Sequence, residues 1–288
     1  MRNRGFTLIE LMVVLAIVTV LIALLAPALH HAVDDARRIA CVNNLKQIGT
    51  AMHHYHDTYS TFPPGWVAQD GYPGNGLEYG WGARLLPFHL DQEELAGKLD
   101  IRGRPDAKNA LLQTKIPVFL CPTDTTPDLN PLRGNFATSN YSGSYGDQPF
   151  PRWAPLGQSD AWPGSMDAPM KSTGVFCRNS KVKVQDITDG LENTIFLGEK
   201  SSRGGGSVWF GVTDNAHEDD TLSDLSHGST PNAGPNAFSS RHSAIVNVGM
   251  ASGTVRSINV AINSTSAPYK GVWQLLGNKA DGMVMPNY

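Results

Sequence analysis

The chain has 288 residues, and its 23 Lys+Arg against 26 Asp+Glu give a formal net charge of −3. That balance offers no basic field to gather nucleic acid, and 41% hydrophobic against 17% charged residues excludes wholesale disorder. With 29 Gly, 19 Pro and 3 Cys the chain is rich in turns and too poor in cysteine for a disulfide-stapled miniprotein.

The first element is an apolar run over residues 6–29, interrupted by Thr7, Glu10, Thr19 and Pro27. As a helix it spans roughly 36 Å, enough to cross a hydrocarbon core of about 30 Å. Arg2 and Arg4 precede it without a compensating acid, so the positive-inside rule keeps the amino terminus cytoplasmic and sends residues 30–288 outward. Two ordinary readings compete here: a cleaved secretory signal ending near Ala26-Pro27-Ala28, and an uncleaved anchor. Glu10 argues against both, because a carboxylate well inside lipid costs about 2.5–3.5 kcal/mol and asks for a partner. Cleavage between Gly5 and Phe6 would supply one, a new cationic α-amine one turn away on the same chain or on a neighbouring subunit.

The segment Arg4-Gly5-Phe6-Thr7-Leu8-Ile9-Glu10, followed by its apolar run, resembles the prepilin-type cleavage and methylation motif. The resemblance implies cleavage after Gly5 and N-methylation of Phe6 by a prepilin peptidase of the inner membrane. It further implies assembly with other pilin-like subunits into a filament of the type II secretion or type IV pilus kind. This helix would form the filament core, and Glu10 would set its register.

Beyond Pro27, Ile39, Val42, Leu45, Ile48, Met52 and Tyr55 recur every three or four residues and predict one buried stripe. Asp34 and Arg38 are spaced as an i,i+4 pair. The helix should reach about residue 56, roughly 75 Å from its start, with bends at Pro27 and Gly49. His53 and His56 suggest a metal at i,i+3 spacing, with His30, His31 and His54 nearby. No matching third ligand follows, so polar helix-surface histidines are the preferred reading. Thr61-Phe62-Pro63-Pro64-Gly65 stops the helix.

Next come an aromatic loop over 66–80, a helix over 81–99 burying Leu85, Leu86, Leu90 and Leu95, a short helix over 105–115 and a strand over 116–121. Residues 135–180 read as loops around a strand at 140–145. Strands follow at 193–199, 207–212, 244–250 and 254–260, the last two flanking Ala251-Ser252-Gly253 as a hairpin. The expected fold class is α+β: a pilin-like long N-terminal helix packed on an antiparallel-sheet, loop-rich domain. Its divisions are a leader at 1–5, a transmembrane or filament-core helix at 6–29, the exposed half-helix at 30–60 and an extracytoplasmic domain at 61–288.

A second resemblance rests on residues 41–49, 55–65 and 119–124, Asp186-Ile187-Thr188-Asp189-Gly190, Asn193-Thr194-Ile195, Gly198-Glu199 and Ser239-Ser240-Arg241-His242. Together they are similar to a family of pilin-like proteins abundant in planctomycetes. The exported domain of that family has no assigned function and closes on His-x9-Asp-Gly. Here His242 is followed at that distance by Ser252-Gly253. Serine tolerates positive φ less well than aspartate, so Ser252 should weaken the turn modestly. Its lack of a carboxylate also argues against a catalytic motif. Cys41 and Cys121 both fall in matching segments in an oxidising compartment, which suggests a disulfide and leaves Cys177 over.

Chemistry is weighed against plainer readings. His242 with Asp189 or Glu199 makes a possible acid–base pair, with Ser239 or Ser240 as nucleophile. No nucleophile elbow or oxyanion signature accompanies them, so no enzymatic activity is expected. Asp214, Glu218, Asp219, Asp220 and Asp224 crowd one loop and suggest calcium, yet match no EF-hand and read first as a solvated acidic loop. No other cofactor is expected. The runner-up function is a membrane-tethered binding domain that does not polymerise and recognises glycans through Trp66, Trp81, Trp153 or Trp162.

Overall fold

The computed structural model describes residues 7–68, 77–88, 92–150, 172–213, 218–265 and 270–286, apart from the side chains of residues 27, 28, 30, 31 and 218. Helix α1 (Leu8–Tyr59) runs for 52 residues, about 78 Å. Thr7 caps its start. Its end is set by Ser60, which takes a left-handed conformation at φ 59° and donates its backbone N–H to His56 O, just before Pro63-Pro64. Pro27 and Gly49 do not interrupt the helix. Gly49 faces Gly253, and a Cβ there would meet Gly253 Cα at 3.5 Å, an ordinary van der Waals contact.

The face of α1 that packs on the domain is Cys41, Leu45, Ile48 and Met52, all fully buried, so the predicted stripe holds at Leu45, Ile48 and Met52 and is corrected at its start. Ile39 is 60% exposed, and Val42 and Tyr55 are only partly covered. The domain begins to cover the helix at Ala40, so the start of the buried stripe is set by where the domain begins, while its phase follows the apolar spacing. The predicted Asp34–Arg38 pair is also corrected. Asp34 pairs with Arg37 at 3.5 Å, while Arg38 reaches across to donate to Ser257 Oγ at 3.2 Å.

Three sheets follow among the described residues. A short ribbon joins β1 (Glu78–Tyr79) to β7 (Gly211–Val212), and a second sheet orders β2 (Leu129–Asn130), β3 (Phe136–Ser139) and β6 (Ser207–Val208). The main sheet has the order β10-β9-β5-β4-β8, built from β4 (Tyr141–Gly146), β5 (Ile195–Glu199), β8 (Leu222–Asp224), β9 (Ile245–Met250) and β10 (Val255–Asn259). It is antiparallel except that β8 runs parallel to β4. Helices α2 (Trp81–Leu85), α3 (Glu93–Lys98) and α4 (Val272–Gly277) are short.

Strand alternation divides the core. Val246, Val248 and Met250 point to one face, where they pack with Phe238, Trp273 and Leu276. The other face meets α1 and an aromatic cluster in which Phe62 and Phe196 stand edge to face at 4.6 Å.

Four further expectations are corrected. Residues 116–121 form no strand: Pro117 has no N–H for a ladder and opens a 3-10 turn, Pro117–Phe119. The helix predicted over 81–99 is split, since Pro87 cannot continue α2; Leu85, Leu86 and Leu95 are buried, and Leu90 lies outside the described residues. Within 105–115 only a 3-10 turn, Ala110–Gln113, forms, capped by Asn109. The run 207–212 divides between two sheets as β6 and β7.

The hairpin over 245–259 is present. Only Gly253 of the Ser252-Gly253 pair takes a positive φ, +88°, so the argument that Ser252 strains the turn does not hold. Its hydroxyl shares a hydrogen bond with Thr254 Oγ1 at 2.9 Å.

Candidate functional site

The amino-terminal rod carries the first candidate site. Residues 8–26 form a span long and apolar enough to cross a membrane, and none of it is buried within the chain. Leu8 and Leu24 are more than 70% exposed. Gly5 and Phe6 lie outside the described residues. Glu10 has a local partner that charge reasoning overlooks. Thr7 N and Oγ1 both donate to Glu10 Oε2 at 2.8 Å, and Glu10 N donates to Thr7 Oγ1 at 3.3 Å. This is a capping box, and Thr-x-x-Glu before an apolar run is its sequence signature.

The second candidate lies where α1 meets the sheet. Cys41, on the buried face of α1, is joined by a disulfide to Cys121, which follows the 3-10 turn. The loop is fastened independently of the sulfurs. Asn44 Nδ2 donates to Leu120 O at 2.8 Å, and Cys121 N donates to Asn140 Oδ1 at 2.9 Å. Tyr141 donates its hydroxyl to Cys41 O at 3.2 Å; burial, seconded by the charge of Glu199, holds its pKa well above the usual phenol value.

His242 and Glu199 complete this site. His242 Nε2 stands 3.8 Å from Cys121 Sγ and 3.3 Å from Glu199 Oε1, with side chains only 6% and 2% exposed. Asn247 fixes the carboxylate from β9, its N–H donating to Oε2 at 3.0 Å and its Nδ2 to Oε1 at 2.8 Å. Of the two acids offered for His242, the structure therefore brings in Glu199. Asp189 lies elsewhere and accepts from the backbones of Asp281 at 2.7 Å and Gly282 at 2.9 Å. It shapes a turn with Gly190, whose φ is +98°. Neither proposed nucleophile faces the imidazole as a hydroxyl donor. Ser239 Oγ accepts from Ser201 N, and Ser240 Oγ accepts from the backbone of His242.

The described acids of this segment, Asp219, Asp220 and Asp224, are not simply solvated. Asp214 and the side chain of Glu218 lie outside the described residues. Asp220 is buried and ion-paired to Arg133 Nη1, while Asp219 meets Nη2 of the same guanidinium at 2.9 Å. Asp220 also accepts from the backbone and hydroxyl of Thr213. Asp224 is buried and accepts from Ser226 N at 3.0 Å. Arginine thus holds the two central carboxylates that calcium would need.

Lys200 enters this cluster fully buried, donating to Asp219 O and to Leu222 O. Burial, and then the charge of Arg133, lower its pKa to about 7 against the opposing pull of Asp219, Asp220 and Asp224. Between pH 7 and the ordinary lysine value the unfolded chain holds a proton that the folded chain does not, so stability rises with pH in that window. The chain should gain about 2 kcal/mol of unfolding free energy between pH 7 and pH 9 from this group. Lys200→Met should flatten the rise. Denaturant unfolding at both pH values checks this, and equal slopes in the two proteins would refute it.

Other sequence candidates are dispersed. Trp66 and Trp81 are buried, and Trp81 Nε1 donates to Thr221 O at 3.0 Å, so neither offers a glycan platform. Trp153 and Trp162 lie outside the described residues. His54 is exposed, but His53 and His56 lean on Phe62, with ring centroids 5.7 and 4.7 Å from it, which corrects the picture of a uniformly polar surface. Cys177 is buried and takes no part in the disulfide.

Comparison with known families adds two matches. A model described as a protein of unknown function (DUF1559) matches residues 31–230, and one described as a prokaryotic N-terminal methylation motif matches residues 1–26. No curated protein and no solved structure matches the chain.

Proposed function

Because this chain belongs to the DUF1559 family and carries the prokaryotic N-terminal methylation motif of prepilin-like proteins, we propose that it is a pilin-like structural subunit that assembles into a filament. In this reading a prepilin peptidase cuts after Gly5 and methylates the amine of Phe6. Before the cut Arg2 and Arg4 keep the amino terminus inside, and the rod then holds the subunit in the inner membrane with the sheet domain outside. It then packs against the rods of neighbouring subunits in a filament of the type II secretion or type IV pilus kind. The role is structural rather than catalytic.

The observation that supports this reading is the contrast along α1. Its face from Cys41 to Met52 is buried by the domain, whereas the span from Leu8 to Ala26 is covered by none of the described residues. That much apolar surface calls for lipid or other helices. The two capping bonds that the Glu10 carboxylate accepts both use Oε2. Oε1 then answers the Phe6 amine of a neighbouring subunit and sets register.

Mass spectrometry of the native protein should find a mature chain beginning at N-methylated Phe6. Glu10→Ala should keep that processing and abolish filaments in sheared cell-surface material viewed by electron microscopy. A chain still beginning at Met1, or one beginning at Leu29, removes the processing step; unchanged filaments in Glu10→Ala remove the register role.

A further inference from the structure

Four buried donors meet where α1 joins the sheet. The ligand atoms of Cys41, Cys121, Glu199 and His242 all lie within 4.8 Å of one another. They come from four places in the chain: α1, the loop after the 3-10 turn, the end of β5 and the loop before β9. Two thiols, an imidazole and a carboxylate form a donor set suited to zinc, and the filament role makes no use of it. We propose that reduction of the disulfide converts this cluster into a binding site for one zinc-type divalent ion. Its ligands are the Cys41 and Cys121 thiolates, His242 Nε2 and the Glu199 carboxylate.

The geometry is nearly in place. Tetrahedral zinc, with sulfur at about 2.3 Å and nitrogen or oxygen at about 2.0–2.1 Å, sets its donors about 3.3–3.8 Å apart. The His242–Glu199 edge is already 3.3 Å and the Cys121–His242 edge 3.8 Å. The two bonded sulfurs must part, and the other edges, each no longer than 4.8 Å, close by at most about 1.5 Å. The backbones that carry them stay tied by Asn44 to Leu120 and by Asn140 to Cys121. Asn247 orients Glu199 with two hydrogen bonds, the kind of outer support that metal-ligating carboxylates have. With both thiols ionised the ligands would carry −3 in a buried site, and a divalent ion reduces this to −1.

The two states interconvert through balanced chemistry. A dithiol reductant breaks the Cys41–Cys121 bond, delivers two electrons and two protons to the sulfurs and leaves as a disulfide. The ion displaces both thiol protons to solvent and binds the thiolates beside neutral His242 and ionised Glu199. A disulfide oxidant reverses the step: it takes two electrons from the thiolates and two protons from solvent, leaves as a dithiol, and the ion departs. The disulfide ties two elements together, whereas the ion would tie four.

Cobalt(II) added to the full chain in detergent micelles, anaerobically and after phosphine reduction, tests the site. One equivalent should bind to the reduced wild type with thiolate-to-cobalt charge-transfer absorption and the intense visible bands of a tetrahedral centre. The oxidised chain and Cys41→Ser should lack the two-thiolate spectrum. Glu199→Gln and His242→Gln keep both cysteines, so circular dichroism of their oxidised forms verifies folding. Once reduced, each should bind cobalt at least about 10-fold more weakly. Equal binding by oxidised and reduced chains overturns the proposal, as does a reduced, folded wild type that takes up no cobalt. If reduction unfolds the chain, recovery of the fold on adding cobalt supports the site, and failure to recover overturns it.

Discussion

Cys41→Ser in the full chain, kept in detergent with a chelator present, should melt roughly 10–15 °C below the wild type. The Cys41–Cys121 bond closes a loop over a sequence separation of 80 residues. The chain-entropy estimate for such a loop is about 4.5 kcal/mol, and a domain of this size loses about 2–4 °C per kcal/mol. The position of the bond makes the loss felt widely, because Cys41 opens the buried face of α1 and Cys121 leads into the strands of the domain. Cys121→Ser should fall by the same amount. The double variant should fall no further than either single one, since all three remove one bond. A metal-free reductant should bring the wild type down to the variants and leave the variants unmoved. Melting within about 3 °C of wild type in either variant would show that hydrogen bonds such as Asn44 to Leu120 hold helix and loop without the bond.

The parts of this fold legible in the sequence are those fixed by local chemistry. The long helix follows from an apolar run continued by residues spaced every three or four up to the stop at Pro63-Pro64, and the β9–β10 hairpin from two β-rich runs around Ser252-Gly253. The parts that are not legible depend on what arrives from elsewhere. Ile39 matches the spacing of the α1 stripe, but the sheet does not reach it. Pro117 could have warned against a strand at 116–121, whose apolar content still serves the core through Val118 and Phe119. Glu199 and Asp189 are equal candidates for His242 in the sequence, and the register of β5 on β9, with Gly198 opposite Val248, selects Glu199. The disulfide follows from a family resemblance, not from the spacing of three cysteines. Thr7-x-x-Glu10 is itself the signature of a capping box, which the charge of Glu10 alone does not reveal.

Arg133→Met should cost about 3–5 kcal/mol, because it strips a guanidinium from a buried carboxylate instead of removing an ion pair as a unit. Asp220 is only 1% exposed, and sequence spacing gives no hint of a partner 87 residues away. Thr213 continues to donate to Asp220 in the variant, but two neutral donors do not replace a full opposite charge in a dry site. The companion change Asp220→Asn should therefore recover much of the loss when combined with Arg133→Met, although alone it also destabilises; a double-mutant cycle by urea unfolding reads the coupling directly. The same substitution alters the pH response. The Arg133 charge is one of the causes that lower the pKa of Lys200. Its removal lets Lys200 keep its proton to higher pH in the folded chain, so the stability gain between pH 7 and pH 9 should shrink in Arg133→Met. A loss below about 1 kcal/mol with an unchanged pH slope would mean that water, not Arg133, neutralises the acidic segment.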